Sequence, residues 1–391
     1  MEKIWRWFGK KDQIKLEMLR QIGVQGIVSA LHDIPNGEIW SFEAIDEYKK
    51  YIESFGLRWS VVESLAVSEA IKYGGAERDF LIENYIESLK NLGKAGVKTV
   101  CYNFMPVLDW ARTDLYFQWA DGSSSLYFDK AKFAYFEIHI LKREGADKDY
   151  NSDILRKVEE LKNTLKEEDN NDLIDSIIVK TQGFVNGNIK EGDQNPVEIF
   201  KSLLALYDGV DKNQLRQNMK YFLQKIMPVC EEYDIQMCVH PDDPPFSLLG
   251  LPRIVTNEED IDWILNEVDN FHNGLTFCTG SLSAGLENDV PQLAKKYAHR
   301  TKFVHLRSTN VFDNGDFIEA GHLEGRGKII DVVRIFEKEN SSLPMRIDHG
   351  RLLTDDIGKG YNPGYSFLGR MLALGQIDGV MATVQSELQR N

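Results

Sequence analysis

The sequence predicts an α/β protein in which eight parallel strands alternate with helices and close into a (β/α)8 barrel. Short runs rich in β-branched, aromatic and cysteine residues recur along the chain, as in buried parallel strands. Most runs are separated by roughly 25–40 residues with amphipathic helix patterns, which is enough for a crossover helix. The length of 391 residues suits one such domain with an insertion.

Eight runs predict the strands in order. An open doubly wound sheet is the alternative, but it would normally show a glycine-rich phosphate turn after its first strand. The segment after the first run reads HDIPNGEIW and lacks that fingerprint. The predicted strands are 26–31 (GIVSAL), 58–63 (RWSVVE), 98–104 (KTVCYNF), 236–241 (QMCVHP), 275–280 (LTFCTG), 302–307 (KFVHLR), 345–350 (MRIDHG) and 379–384 (GVMATV).

The gap between the third and fourth predicted strands is too long for one crossover. It contains a polar stretch with helical charge patterning, residues 142–177, flanked by many aromatic residues. We therefore expect residues 1–391 to form a single barrel domain, with a mainly helical insertion over 110–220 that caps the barrel mouth. The alternative is a flexible surface excursion, which the flanking aromatic residues disfavour.

Composition excludes some classes of partner. The net charge is −15, and such a surface repels phosphate backbones, so we expect no nucleic acid partner. No stretch reaches the roughly 18 uncharged apolar residues of a membrane span, and the N-terminus is too polar for a signal peptide. Four sparse cysteines suit free thiols in a reducing cytoplasm.

Metal-ligand residue types fall at the ends of four neighbouring predicted strands. His240 ends the fourth strand, Cys278 the fifth and Asp348 the seventh, and His305 lies in the sixth. Active sites of such barrels lie at the carboxyl ends of the strands, so the four side chains are expected to meet. Two imidazoles, a thiolate and a carboxylate would suit divalent manganese, iron or zinc.

Each of these residues also has a structural interpretation when it is taken alone. An isolated histidine is usually a hydrogen-bonded structural residue, and an isolated intracellular cysteine is usually buried and inert. The conjunction of four strand ends favours a site. By contrast, Cys101 and Cys238 lie earlier in their strands and Cys230 lies in a helical pattern, so these three are assigned to the core.

Adjacent residues on a regular strand point to opposite sides, which creates a difficulty at Asp348 and His349. Both can serve one site only if the strand ends there, and Gly350 permits such a turn. Further polar groups near strand ends are candidates for binding substrate hydroxyls or a carboxylate, or for structural hydrogen bonds. These are Arg307, Ser308, Arg351, Asn103, His32 and Glu63, with Tyr365 placed after a tight turn in NPGYS.

Several long motifs resemble those of the mannonate dehydratase family, over essentially the whole chain. They are WRWFG, SALHDIPNGEIW, VCYNFMPVLDWARTDL, FEIHILKREGADKDY, VHPDDPP, LGLPRIV, FCTGS, VHLRS, MRIDHG and NPGYS, in that order. The resemblance implies a barrel like that of xylose isomerase and an enzyme of hexuronate catabolism. It implies conversion of D-mannonate to 2-dehydro-3-deoxy-D-gluconate with Mn(II) or Fe(II).

The same resemblance implies roles for residues. The metal ligands would be His240, Cys278, His305 and Asp348, and the catalytic pair would be His349 and Tyr365. A homodimer or larger assembly is also implied. Dehydration needs one group to take the proton at C2 and another to protonate the leaving hydroxyl at C3, and either of the pair could do each.

Two other functions remain open at this level. A metal-dependent sugar isomerase could use the same barrel, although Cys278 and the arginines favour an acid substrate. A non-catalytic sugar-acid-binding or metal-binding protein would need no proton-transfer pair beside its ligand.

Overall fold

The computed structural model of the chain describes residues 1–181 and 189–390. Eight parallel strands form a closed barrel, in the order β1-β12-β9-β8-β7-β4-β3-β2 around the ring. The predicted fold class is therefore confirmed. The barrel strands are β1 (Glu2–Arg6), β2 (Gly26–Ser29), β3 (Arg58–Glu63), β4 (Thr99–Tyr102), β7 (Gln236–Val239), β8 (Asn273–Cys278), β9 (Thr301–Leu306) and β12 (Pro344–Ile347).

The two ends of the chain differ from the prediction. The first barrel strand is β1, which sequence analysis did not predict because charged residues interrupt its apolar pattern. The predicted strand at 379–384 was wrong, since these residues belong to the helix Phe367–Arg390. Its buried side chains Ile377, Met381 and Val384 are spaced by four and three residues, which is the period of a helix face and not of a strand.

Helices pack around the outside of the barrel and connect its strands. Ser41, Asp211 and Asn257 each cap a helix by accepting a backbone N–H in its first turn. Among the described residues, no helix is long and apolar enough to cross a membrane. The α-helices are Leu16–Gln21, Phe42–Glu53, Glu69–Tyr73, Arg78–Ala95, Lys130–Tyr135, Ser152–Thr164, Glu167–Ile174, Pro196–Ala205, Lys212–Tyr233, Glu258–Glu267, Thr279–Ser283, Val290–Tyr297, Ile329–Glu339 and Phe367–Arg390.

The long insertion lies between β4 and β7. Because β1 precedes the strands predicted from sequence, these are the fourth and fifth barrel strands in chain order and not the third and fourth. The insertion begins with two strands that were not predicted, β5 (Asp114–Gln118) and β6 (Ser124–Phe128). From Lys130 to Ala205 its regular elements are helical; residues 182–188 of the predicted insertion lie outside the described part of the chain.

A second, antiparallel sheet joins the insertion to the barrel. Two short strands that follow β9, β10 (Thr309–Val311) and β11 (Phe317–Glu319), complete it in the order β10-β11-β6-β5. Since β10 begins only three residues after β9, this sheet is attached directly to the end of a barrel strand. It therefore brings residues of the insertion close to the barrel mouth.

The barrel interior contains a layer of small and medium apolar side chains from six of the eight strands. Cys101 and Cys238 belong to it, in agreement with their assignment to the core. Side chains two residues further along each strand point to the same side, into the barrel interior. We call this layer the apolar floor, because those side chains lie directly above it. Its members are Ile4, Val28, Val61, Cys101, Cys238 and Phe303.

Candidate active site

A cavity lies directly above this apolar floor, at the carboxyl ends of the strands. Moving two residues along from each floor residue gives Arg6, Ala30, Glu63, Asn103, His240 and His305. All of these except His305 line the cavity, and His305 lies against His240. Apart from Ala30, the residues that follow the apolar layer along the strands are ionisable or polar, and strand alternation points them to the same side.

Three of the predicted metal ligands converge beside this cavity. The ligand atoms of His240, Cys278 and His305 all lie within 4.8 Å of one another. Strand register explains part of this, because Cys278 on β8 is paired with His305 on β9. His240 Nε2 lies 3.1 Å from His305 Nδ1. Asp348 is adjacent, with its Oδ2 3.9 Å from the Cys278 sulfur.

The charges around Cys278 favour its thiolate. Burial opposes ionisation, but Arg307 and His240 lower the pKa of the Cys278 thiol well below its ordinary value. The hydroxyl and backbone N–H of Ser281 also donate to the sulfur, at 3.3 and 3.4 Å. Burial alone would lower the pKa of His240, but Cys278 raises it to about 10.

These residues fit a divalent cation. A thiolate and two imidazoles within bonding reach of one point are donors that Zn, Mn or Fe accepts in proteins. His305 Nδ1 faces His240, while its Nε2 lies 3.5 Å from Glu63 Oε2, a carboxylate that can orient the ring.

Asp348 and His349 both face the cavity although they are neighbours in sequence. Strand β12 ends at Ile347, so strand alternation no longer applies to them. Gly350 follows, and a Cβ there would lie 2.8 Å from the backbone nitrogen of Arg370. Glycine is thus required for close packing against the last helix, and not for a positive φ angle.

His349 is held by two opposite charges at one ring nitrogen. Its Nδ1 lies 2.9 Å from Arg307 Nη1 and 3.1 Å from Glu319 Oε1. Nδ1 either accepts from the guanidinium or donates to the carboxylate, depending on the tautomer. Nε2 lies 3.7 Å from Asp348 Oδ1. In both tautomers the ring orientation is set through Nδ1, which leaves Nε2 available for proton transfer.

Tyr365 lies next to this histidine. The two rings meet edge to face with centroids 5.3 Å apart, and the hydroxyl of Tyr365 donates to Asp348 Oδ1 at 3.3 Å. Burial raises the pKa of the Tyr365 phenol, against the opposing effect of Arg346. Tyr361, in the same loop, is half-buried and is not among the residues that line the cavity.

A buried network of ion pairs surrounds the site. Arg112 bridges Asp243 and Glu319 at 2.8 Å each, and Arg307 lies 2.8 Å from Asp243. Arg346 pairs with Glu63 at 3.0 Å and with Asp348. Sequence analysis did not single out Arg112, Asp243, Glu319 or Arg346 as site residues. Asp243 stands inside the quoted VHPDDPP motif, but Glu319 reaches the site only through the antiparallel sheet.

Some of the predicted substrate-binding residues line the cavity and others do not. Asn103, His32 and Arg307 line the cavity. Ser308 and Arg351 are not among the residues that line it, and their role in substrate binding stays a prediction. The hydroxyl of Ser308 donates to the Glu324 carbonyl, and the Arg351 guanidinium pairs with Asp121 at 2.9 Å and lies over the Trp119 ring.

Removal of one charge from the buried network should cost substantial stability. We expect Asp243→Asn to lower the free energy of unfolding by about 3–5 kcal/mol, because it leaves Arg112 and Arg307 buried with an incomplete set of partners. Urea denaturation of the purified variant measures this loss. As a control, Asp262→Asn removes the charge from a partly exposed pair with Lys296, keeps an amide oxygen for the Tyr297 hydroxyl, and should cost below about 1 kcal/mol. Equal losses in the two variants would contradict the proposed importance of the network.

The whole chain matches a known protein family. A sequence model of the family described as D-mannonate dehydratase (UxuA) matches residues 1–391 of the chain. The chain belongs to this family. It is therefore a carbon–oxygen lyase of the mannonate dehydratase family, and the resemblance seen in the motifs is confirmed.

Individual relatives match over almost their whole length. The mannonate dehydratase of Marinomonas sp. (strain MWYL1) is 42% identical over 398 residues, covering 99% of this chain and 100% of the relative. Mannonate dehydratase 2 of Agrobacterium fabrum is 41% identical, covering 100% of this chain and 99% of the relative.

Solved structures agree with the family and with the fold. The crystal structure of mannonate dehydratase from Streptococcus suis serotype 2 superposes with a TM-score of 0.80 at 34% identity, covering 99% of this chain and 96% of that one. A xylose isomerase domain protein from Planctomyces limnophilus superposes with a TM-score of 0.52 at 7% identity, covering 100% and 99% of the two chains. The second likeness concerns the fold alone and places the dehydratase barrel among xylose-isomerase-like barrels.

Proposed function

We propose that the protein converts D-mannonate to 2-dehydro-3-deoxy-D-gluconate in hexuronate catabolism, with a divalent metal, and that His349 and Tyr365 transfer the protons. The single observation that carries this proposal is the position of this pair beside a cluster of metal-ligand atoms in one cavity of a chain of this family. A binding protein would have no use for two proton-transfer groups at that place.

We assign the metal to His240, Cys278, His305 and Asp348, and Mn(II) or Fe(II) is the expected ion. When bound, such an ion supplies Lewis-acid stabilisation of the negative charge that develops on the substrate carboxylate as the C2 proton leaves. A carboxylate ligates a metal in its ionised form, and the surroundings of Asp348 favour that form. Burial opposes its ionisation, but Arg346 and His349 hold its pKa well below the ordinary value.

The chain's own groups account for the two proton transfers. Tyr365 keeps its proton because burial raises the pKa of the phenol, so it suits protonation of the hydroxyl that leaves C3. His349 takes the C2 proton through Nε2 in the tautomer whose Nδ1–H donates to Glu319, because Nε2 then carries the lone pair.

A sugar isomerase on the same barrel is the second candidate. The xylose-isomerase-like neighbour shares only the fold at 7% identity, whereas the dehydratase relatives match over the full chain. The buried thiolate donor at Cys278 and the arginines around the cavity also favour an acid substrate. An assay with D-mannonate and Mn(II), read out as keto-acid formation and compared with xylose, separates these activities.

Metal removal should abolish turnover. We expect chelator-treated protein to lose activity with D-mannonate and to regain it with Mn(II) or Fe(II), because the clustered donor atoms would otherwise hold no counter-charge for the developing anion. Metal content by elemental analysis is measured alongside the rate. Full activity in demonstrably metal-free protein would show that the cluster is not part of the reaction.

The cellular setting and assembly are also proposals. All four cysteines are buried free thiols, which suits a reducing compartment such as the cytoplasm. A homodimer is the assembly we propose from family likeness. Light scattering coupled to size-exclusion chromatography tests it directly, and a monomeric mass at assay concentration would exclude it.

A further inference from the structure

Three arginines line the cavity, but two of them are already neutralised by carboxylates. Arg307 lies 2.8 Å from Asp243 and 3.5 Å from Asp348. Arg346 is held between Glu63 and Asp348. A guanidinium whose charge is already balanced by buried carboxylates gains little from a further anion. Apart from the proposed metal, a side-chain cation that attracts an acidic substrate must therefore be sought elsewhere in the cavity.

Arg6 is the third of these arginines and differs from the other two. It ends β1, two residues after the floor residue Ile4, so its side chain points into the barrel and lines the cavity. Arg6 is only 5% exposed, and no carboxylate of the described residues forms an ion pair with it, although its charge contributes to the lowered pKa of Glu63. Its Nη1 is buried and makes no hydrogen bond within the described part of the chain. Its nearest described aromatic contact is the Phe8 ring, with the guanidinium carbon 5.0 Å from the centroid.

An unpaired buried cation is costly and calls for an explanation. Desolvation of a guanidinium without a counter-ion destabilises a fold, and natural proteins normally pair such charges. Arg6 lines the cavity where an anionic substrate must bind. Because the overall charge of the chain is −15, a local cation in addition to the metal favours that binding.

We propose that Arg6 binds the carboxylate of the sugar-acid substrate and thereby sets the preference of the site for an acid over a neutral sugar. This inference rests on the proposed function. A carboxylate has two oxygens and accepts a charge-assisted hydrogen bond from the Arg6 guanidinium at one of them. The substrate is thereby oriented in the cavity that holds His349 and Tyr365.

The test compares Arg6→Met with the wild type and with a matched control, Lys3→Met. Lys3 lies on the same strand, but it pairs with Asp378 at 2.9 Å outside the cavity. For Arg6→Met we expect kcat/KM with D-mannonate to fall on the order of a hundredfold, the scale of a lost buried charge contact to a ligand. Arg6→Lys keeps the charge without the planar fork and should recover part of this loss. Lys3→Met should match the wild type.

A second readout does not depend on turnover. D-mannonate should raise the melting temperature of metal-loaded wild-type protein more than the neutral alditol D-mannitol does, and this difference should disappear in Arg6→Met. Without ligand, Arg6→Met should melt no lower than the wild type and keep its metal, because it removes an unpaired charge. If Arg6→Met is destabilised, Arg6→Gln provides the same comparison with an uncharged donor.

The outcomes separate the two proposals. Wild-type kcat/KM and an undiminished response to D-mannonate in Arg6→Met, or in Arg6→Gln where that replaces it, would overturn the role of Arg6. If the wild type binds D-mannonate through Arg6 but forms no keto acid, the proposed reaction fails while the binding role stands. Catalysis by the wild type with no effect of either Arg6 variant leaves the reaction intact and removes only the inference about Arg6.

Discussion

Replacement of His349 by asparagine should lower turnover of D-mannonate by about a hundredfold or more, the usual scale for loss of a general acid or base. The protein should nevertheless keep its metal, because His349 lies beside the ligand cluster and its Nδ1 is engaged by Arg307 and Glu319. The asparagine side chain keeps a polar group near the position of Nδ1, so Arg307 and Glu319 retain a hydrogen-bonding neighbour there. Steady-state rates and metal content of the purified variant measure both effects.

The matched variant is Asp348→Asn, one residue earlier. It removes the carboxylate that lies 3.9 Å from the Cys278 sulfur, and we expect loss of the metal itself. The two adjacent substitutions therefore separate proton transfer from ligation. A metal-depleted His349→Asn together with a loaded Asp348→Asn would mean that the two roles must be exchanged.

Replacement of Cys278 by serine should weaken metal binding strongly. The Cys278 thiol has its pKa lowered well below the ordinary value, against burial, by Arg307 and His240, so it is available as a thiolate donor. A serine hydroxyl is a harder and far less acidic donor and does not ionise in this environment. Titration of metal-free protein with Mn(II), followed by calorimetry, gives the change in affinity.

The control is Cys238→Ser, which changes the same atom in the apolar floor of the barrel. Cys238 is fully buried and its sulfur lies 3.4 Å from the Val100 carbonyl, away from the cluster. This variant should bind metal as the wild type does and lose stability at most. Wild-type metal content in Cys278→Ser, combined with metal loss in Cys238→Ser, would show that the ligand assignment is wrong.

The barrel and the convergence of His240, Cys278 and His305 were predictable because both depend on local rules. A buried parallel strand has a recognisable composition, and its carboxyl end lies at the barrel mouth whatever the rest of the fold does. Seven of the eight predicted runs are barrel strands. The eighth failed because its β-branched composition outweighed the three-to-four-residue spacing of its buried side chains in the last helix.

Local sequence patterns were enough to predict the fold class, the family and the strand ends that carry ligand-type residues. Which buried charged groups are paired depends on the tertiary structure. Arg307 and Arg346 pair with carboxylates 64 and 283 residues away, Asp243 and Glu63, whereas Arg6 forms no such ion pair within residues 1–181 and 189–390. Glu319 reaches His349 only because a sheet built from the insertion and the segment after β9 places it there. Ion pairing depends on distances between side chains remote in sequence, and no local pattern of residues encodes such distances.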